Sequence, residues 1–353
     1  MRGLRLVAVL TTALLVGCGT AVTGPDPAPA GVRPAPDHTY PVGMRQFILD
    51  PDGNRPLPVT VWYPADLPAA PPETVSPPHT PVWTDPVAVA APGRAPTVIS
   101  GSGATSAVPA GPRPESGPRV RPGAPFAAGR FPVVLHSHGL RSLPALHAAL
   151  TSRWAAAGFV VVAPTYPRTN LRARRYTRDD VRNQPADAWR LVRHLVHLGT
   201  RPGDPLGAHL AVDRFAAAGH SAGGHTTLGM FASGQPSPLR AGIVIAGGRM
   251  VAGFSRPLAP MLFVHGSADR IVPESIGRAA YARCLGPAAF LSLRGQGHGE
   301  YLTPGRSGFA QVLATTTDFL RWTLYADRAA LHRLPTDASL PGTTTLTTRS
   351  VPT

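Results

Sequence analysis

Gly219-His220-Ser221-Ala222-Gly223 is the stretch whose reading decides the fold of this chain. The apolar run RFAAA leads into it, and the small-residue helical pattern AGGHTTLGMF leads out. A strand, a tight turn carrying a serine and a helix are the three parts that a G-x-S-x-G elbow requires. The glycines have a steric reason. The serine sits in a strained backbone conformation, and a Cβ at 219 or 223 would collide with neighbouring strand or helix. The stretch predicts an exposed, reactive Ser221.

Outward from the elbow, the chain from Phe131 alternates two patterns. FPVVLHSHG, FVVVAPTYP, AGIVIAGG, PMLFVHG and AFLSLRG read as buried strands. LPALHAALTSRWAAAG, PADAWRLVRHLVHLG and PESIGRAAYARCLG read as helices, and a long final helix is expected over 307–327. Continuous apolar strands alternating with helices predict an α/β fold, with a mostly parallel sheet covered on both faces. Upstream, two strand-like runs over 45–50 and 57–63 flank Pro51-Asp52-Gly53-Asn54, the turn of an N-terminal antiparallel hairpin. Residues 66–130 form a long Pro/Gly-rich insertion without periodicity. The domain spans 39–334, and the Thr/Pro-rich tail 335–353 is expected to be disordered.

A serine hydroxyl needs a histidine to take its proton, and that histidine needs a carboxylate to orient it. With this elbow the order along the chain is serine, acid, histidine. Asp269 and Glu274 are the acids between Ser221 and His298. Asp269 follows PMLFVHG directly and is the expected acid, whereas Glu274 opens a helix, where it favours the dipole. His298, in the glycine-lined loop Gly295-Gln296-Gly297-His298-Gly299, is the expected base. His225 lies too close to the serine, His265 precedes the acid inside a strand, and His332 falls near the end of the terminal helix. The oxyanion donors are expected to be the N–H groups of Ala222 and Leu140. His136 and His138 lack a third metal ligand nearby and read as packing or hydrogen-bonding residues, so neither metal nor cofactor is expected.

The first residues read as a targeting segment. Arg2 and Arg5 precede a short apolar run over 6–16, and Leu15-Val16-Gly17-Cys18 follows. This resembles a bacterial lipoprotein signal over 1–17, which implies acylation of Cys18, a tether over 18–38, and an extracytoplasmic domain held to the membrane. Cys284 then has no partner for an intrachain disulfide and reads as a buried small hydrophobe. The formal charge of +15 comes from arginine alone, in a composition rich in Ala, Gly and Pro, and does not point to nucleic acid. The densest cluster, Arg168, Arg172, Arg174, Arg175, Arg178 and Arg182, reads as a solvated loop. The sequence does not fix the oligomeric state.

PLPVTVWYP, FPVVLHSHG, GFVVVAPTYP, GHSAGG, HGSADRIVP and GQGHG together resemble the α/β-hydrolase superfamily, over about 45–327. They look like the branch of platelet-activating-factor acetylhydrolase-like, dienelactone-hydrolase-like and cutinase-like polyester hydrolases. That resemblance implies a serine esterase acting on a small, lipid or polyester ester, with Ser221, Asp269 and His298 as its triad and Leu140 in its oxyanion loop. Dienelactone hydrolases proper carry cysteine at the elbow, so Ser221 favours the serine esterases. Two other readings stand beside it. A prolyl-oligopeptidase-type peptidase shares the elbow and the triad order but usually needs a large N-terminal propeller, and a non-catalytic envelope lipoprotein would reuse the scaffold.

Overall fold

A computed structural model describes residues 34–66, 117–232, 238–248, 254 and 259–351. The signal segment, Cys18, most of the tether and residues 67–116 of the insertion lie outside the described residues. Near its centre, five parallel strands carry the continuous apolar runs: β4 (Phe131–Ser137), β5 (Val160–Pro164), β6 (Leu210–His220), β7 (Leu239–Ile245) and β8 (Met261–Gly266). The parallel strand β9 (Ala288–Leu293) pairs with β8. The hairpin of β1 (Val42–Leu49) and β2 (Leu57–Pro64) joins antiparallel to β5, and β3 (Val120–Pro122) runs parallel to β1 at the edge. With β10 (Thr344–Arg349) antiparallel to β9, the order is β10-β9-β8-β7-β6-β4-β5-β2-β1-β3. This is the α/β-hydrolase fold.

The sheet divides the interior into two cores, because successive side chains of a strand point to opposite faces. Val133 and Leu135 of β4, with Val160 and Val162 of β5, pack on one side. There they meet α2 (Gln184–Thr200), α3 (Ala222–Ala232) and α4 (Glu274–Arg283) through Leu191, Leu228 and Ala280. Val134, Val161 and Ala163 pack on the other side against α1 (Ala148–Ala156), α5 (Phe309–Tyr325) and α6 (Arg328–Asp337). Trp154 and Phe319 fill the centre of that second core. Cys284 is buried between α4 and the sheet, and burial pushes its thiol up, as suits a small hydrophobe.

Three expectations need correction. The tail is not disordered up to Arg349: it completes α6 and then pairs along β9 as β10, with Arg349 donating to the carbonyls of Tyr281 and Cys284 at the end of α4. The helix expected over 307–327 is α5, but it does not carry His332: Ala326 adopts a left-handed conformation that ends α5, and Asp327 then caps a separate helix, α6, which holds His332, by accepting from the N–H of Ala330. Within the insertion, residues 117–130 hold β3 and a bridge from Phe126 to Ala65, so this part belongs to the sheet. No helix among the described residues is long and apolar enough to cross a membrane.

Candidate active site

Ser221 stands at the middle of the sheet. It follows β6, whose neighbours are β4 and β7, and its backbone is left-handed at φ 57°. That conformation costs a non-glycine residue on the order of 1–2 kcal/mol. The N–H of Ser221 donates to the Ile245 carbonyl at 2.8 Å, and its own carbonyl accepts from Gly224 at 2.9 Å. The flanking glycines are forced by backbone rather than by flexible side chains. A Cβ on Gly219 would strike the carbonyl of Gly223, and one on Gly223 would strike the carbonyl of Ser137 at the end of β4.

Asp269 lies in the loop after β8 and His298 in the loop after β9, the two strand ends that the sequence points to. The Nδ1–H of His298 donates to Asp269 Oδ2 at 2.7 Å. Asp269 Oδ1 accepts from the N–H groups of Ile271 and Val272 at 2.8 and 2.9 Å, which closes a tight turn around the carboxylate. Burial pushes this carboxyl up, but the hydrogen bonds from His298, Val272 and Ile271 outweigh it and hold the acid below its usual range. With Nδ1 donating, Nε2 of His298 is left as the acceptor in the neutral ring. Glu274 is engaged elsewhere: it pairs with Arg278 at 3.1 Å and accepts from the hydroxyl of Ser292.

A cavity of about 770 Å³ opens over these groups, and Ser221, His298, Leu140 and Ala222 all line it. Ala222 is the first residue of α3, where an N–H has no intrahelical acceptor. The N–H of Leu140 meets no backbone acceptor among the described residues, while the next residue, Arg141, is left-handed and tied to the Thr169 carbonyl at 2.8 Å. Gly139 permits this close approach, since a Cβ there would sit 3.1 Å from that of Ser221. His225 also lines the cavity, one turn into α3. His332 is on α6 and lines a separate, smaller cavity.

Several residues that surround this arrangement are not picked out by motif. His220, inside the elbow, donates from Nε2 to the carbonyl of His298 at 2.7 Å and so ties the histidine loop to the elbow. The rings of His136, His147, His220 and His298 form a row, with centroids 4.9, 5.2 and 4.8 Å apart. Burial pulls His136 down to about 3 and His220 to about 4, so the inner part of the row is uncharged. His138 is bonded at both nitrogens: Nδ1 donates to the Gly139 carbonyl at 2.7 Å, and Nε2 accepts from the Tyr166 N–H at 3.0 Å. It thereby shapes the Leu140 loop. His265 lies beneath the acid, 3.4 Å from Asp269 Oδ2, and its Nε2–H donates to the Val272 carbonyl at 2.8 Å.

The arginine-rich loop is only partly the solvated surface expected of it. A 3₁₀ turn over Arg178–Asn183 brings Arg178 and Arg182 to the cavity lining, and Asp180 in that turn is buried. Arg55, from the β1–β2 turn, donates to both oxygens of Asp180 at 2.9 Å, and to both of Asp187 in α2 at 3.1 and 2.5 Å. This network fixes the turn against the domain.

Residues 106–247 match the model of a family described as Chlorophyllase, over less than half of the chain. The matched part carries Leu140 and the elbow, while Asp269 and His298 lie beyond it. The chain is a carboxylic ester hydrolase. No curated protein matches the chain. The hydrolase thus combines a matched segment that holds the serine with an unmatched one that pairs a carboxylate with an imidazole, the imidazole lining the same cavity as the serine.

Proposed function

We propose that this hydrolase cleaves carboxylic esters through an acyl-enzyme, with Ser221 as nucleophile, His298 as general base and acid, and Asp269 as the group that orients and stabilises the imidazolium. The observation that carries the reading is the 2.7 Å contact of His298 with a buried, ionised Asp269, with His298 lining the same cavity as a serine in strained, left-handed backbone. Ser221 Oγ attacks the ester carbonyl carbon while Nε2 of His298 takes its proton. The carbonyl oxygen becomes an oxyanion that the N–H groups of Leu140 and Ala222 receive. Collapse of this intermediate expels the alcohol, which leaves with the proton held by His298, and Ser221 stays acylated. Water, deprotonated by the same imidazole, then attacks the acyl carbon, and the carboxylic acid departs as the proton returns to Ser221.

A fluorophosphonate probe reacts with a serine activated in this way. It is expected to label the purified protein, and Ser221→Ala is expected to abolish both labelling and ester turnover. Labelling that survives the substitution would sink the assignment.

The same proposal places the hydrolase on the extracytoplasmic side of a membrane, held by acyl chains on Cys18. The basic, apolar and small-residue order of residues 1–18 supports this. Metabolic labelling with an alkynyl palmitate is expected to mark the chain, and Cys18→Ala to abolish the mark. Unchanged labelling of that variant would reject the anchor.

A further inference from the structure

The cavity over Ser221 is lined by two chemically unlike segments. Ile271, Val272 and Ile276, from the loop after β8 and from α4, give it an apolar side. The 3₁₀ turn contributes Arg178, Asp179 and Arg182. Two arginines against one aspartate leave this part of the lining with a net positive charge. Neither arginine is engaged in a salt bridge among the described residues, whereas Arg55, Arg190, Arg278 and Arg333 all are. Their guanidinium groups are exposed and keep their donors for a ligand. The turn that carries them is fixed, because Asp180, between the two, is held by Arg55 and also accepts from Asn183 at 2.7 Å. A charge on a fixed turn discriminates among ligands better than the same charge on a loose loop, since less ordering entropy opposes binding.

We infer that Arg178 and Arg182 select esters that carry an anionic group, a carboxylate or a phosphate, separated by an apolar chain from the scissile carbonyl. This rests on the triad reading above and narrows it to amphipathic, acid-bearing esters. The apolar segment beside Ile271 and Ile276 takes the chain, and the guanidinium groups take the anion.

The experiment compares two substrates of the same length on the purified protein: the mono-p-nitrophenyl ester of adipic acid, which is anionic, and its methyl p-nitrophenyl diester, which is neutral. The ratio of their kcat/KM values, acidic over neutral, is the readout. It is expected to exceed one by about tenfold, the size of one charge-assisted hydrogen bond, and to fall severalfold in Arg178→Gln and in Arg182→Gln. It is also expected to collapse toward one in ~1 M salt, where the screening length is about 3 Å. Arg174→Gln removes the same charge from the preceding exposed loop, outside the cavity lining, and is expected to keep the ratio. A phosphate-ended ester of equal length shows which oxyanion is preferred. Turnover of the neutral diester with a ratio near one overturns the inference and leaves the esterase reading standing. A ratio that falls equally in Arg174→Gln also overturns it, because the overall charge of +15 would then be the cause. Failure to cleave either ester, together with no fluorophosphonate labelling, overturns both.

Discussion

Mild acid is expected to unfold this protein steeply, and the slope follows from its buried histidines. Burial pulls His136 down to about 3 and both His138 and His220 to about 4, and it holds His147 well below its ordinary value. In the unfolded chain each returns to about 6.5. For a base whose folded value is depressed, the unfolded state binds the extra proton. Stability is therefore complete above about pH 6.5 and is lost as the pH falls toward the folded values. Near pH 5 all four rings are protonated when unfolded and neutral when folded. Each proton changes the unfolding free energy by about 1.4 kcal/mol per pH unit, which gives about 5 to 6 kcal/mol per unit for four. Asp318 opposes them. Burial raises its carboxyl to about 6, so the folded protein holds a proton there that the unfolded chain releases. The net slope is at least about 4 kcal/mol per unit, since His265, buried and likewise held below its ordinary value, adds to it, and this is enough to consume a typical 5–15 kcal/mol of stability within a few pH units. Urea unfolding at half-unit steps between ~pH 7 and ~pH 5 measures the slope directly. His136→Leu removes a ring that has no hydrogen-bond partner at either nitrogen, and is expected to lower the slope by about one proton. A slope below one proton across that range would refute the reasoning, as would a His136→Leu variant with an unchanged slope.

Three further outcomes follow from the geometry. Arg55→Met leaves the carboxylates of Asp180 and Asp187 buried without their guanidinium, and is expected to cost about 3–5 kcal/mol at neutral pH. Urea titration measures this loss, which should shrink in acid as the Asp180 carboxylate, which Arg55 helps to hold below its usual range, takes up a proton. Asp269→Asn keeps the size of the side chain but removes the charge that His298 faces at 2.7 Å. It is expected to lower kcat for a p-nitrophenyl ester on the order of 10⁴-fold, with the unfolding midpoint changed far less. Gly223→Ala drives a methyl group into the Ser137 carbonyl, and is expected to lower stability by about 3 kcal/mol and to abolish labelling of Ser221.

The part of the fold that can be read from the sequence is the part in which burial writes a pattern. Strands β4 to β9 are enclosed on both faces, so each appears as a continuous apolar run. Asp269 and His298 stand out because each follows such a strand directly, and the 2.7 Å contact brings together those two side chains rather than Glu274 or His225. β10 carries no such signal. Its burial alternates along a threonine-rich strand at the sheet edge, and it resembles a polar tail until its pairing with β9 is seen. The Arg55–Asp180–Asp187 network joins residues more than a hundred positions apart, and nothing in local composition marks it. His147 and His220 likewise form a row with His136 and His298 only because the topology stacks the ends of β4 and β6 beside the loop after β9. The arginine cluster was visible as a cluster. Which of its members reach the cavity depends on a turn that Asp180 anchors from inside.

The edge strand β10 has a consequence for the working life of the protein. It shields the outer side of β9, and just beyond their pairing the N–H of Arg294 donates to the Thr343 carbonyl at 2.6 Å, a few residues before His298. The connection that delivers β10 runs through Leu340, Pro341 and Gly342, exposed or half-exposed and without regular structure. A protease that cuts there touches none of Ser221, Asp269 or His298. It nevertheless detaches the strand that braces the loop carrying His298, and leaves a bare row of backbone donors and acceptors open to pairing with another chain. Wear of this hydrolase is therefore expected to begin far from its serine, as clipped molecules that aggregate through β9 while Ser221, Asp269 and His298 remain intact.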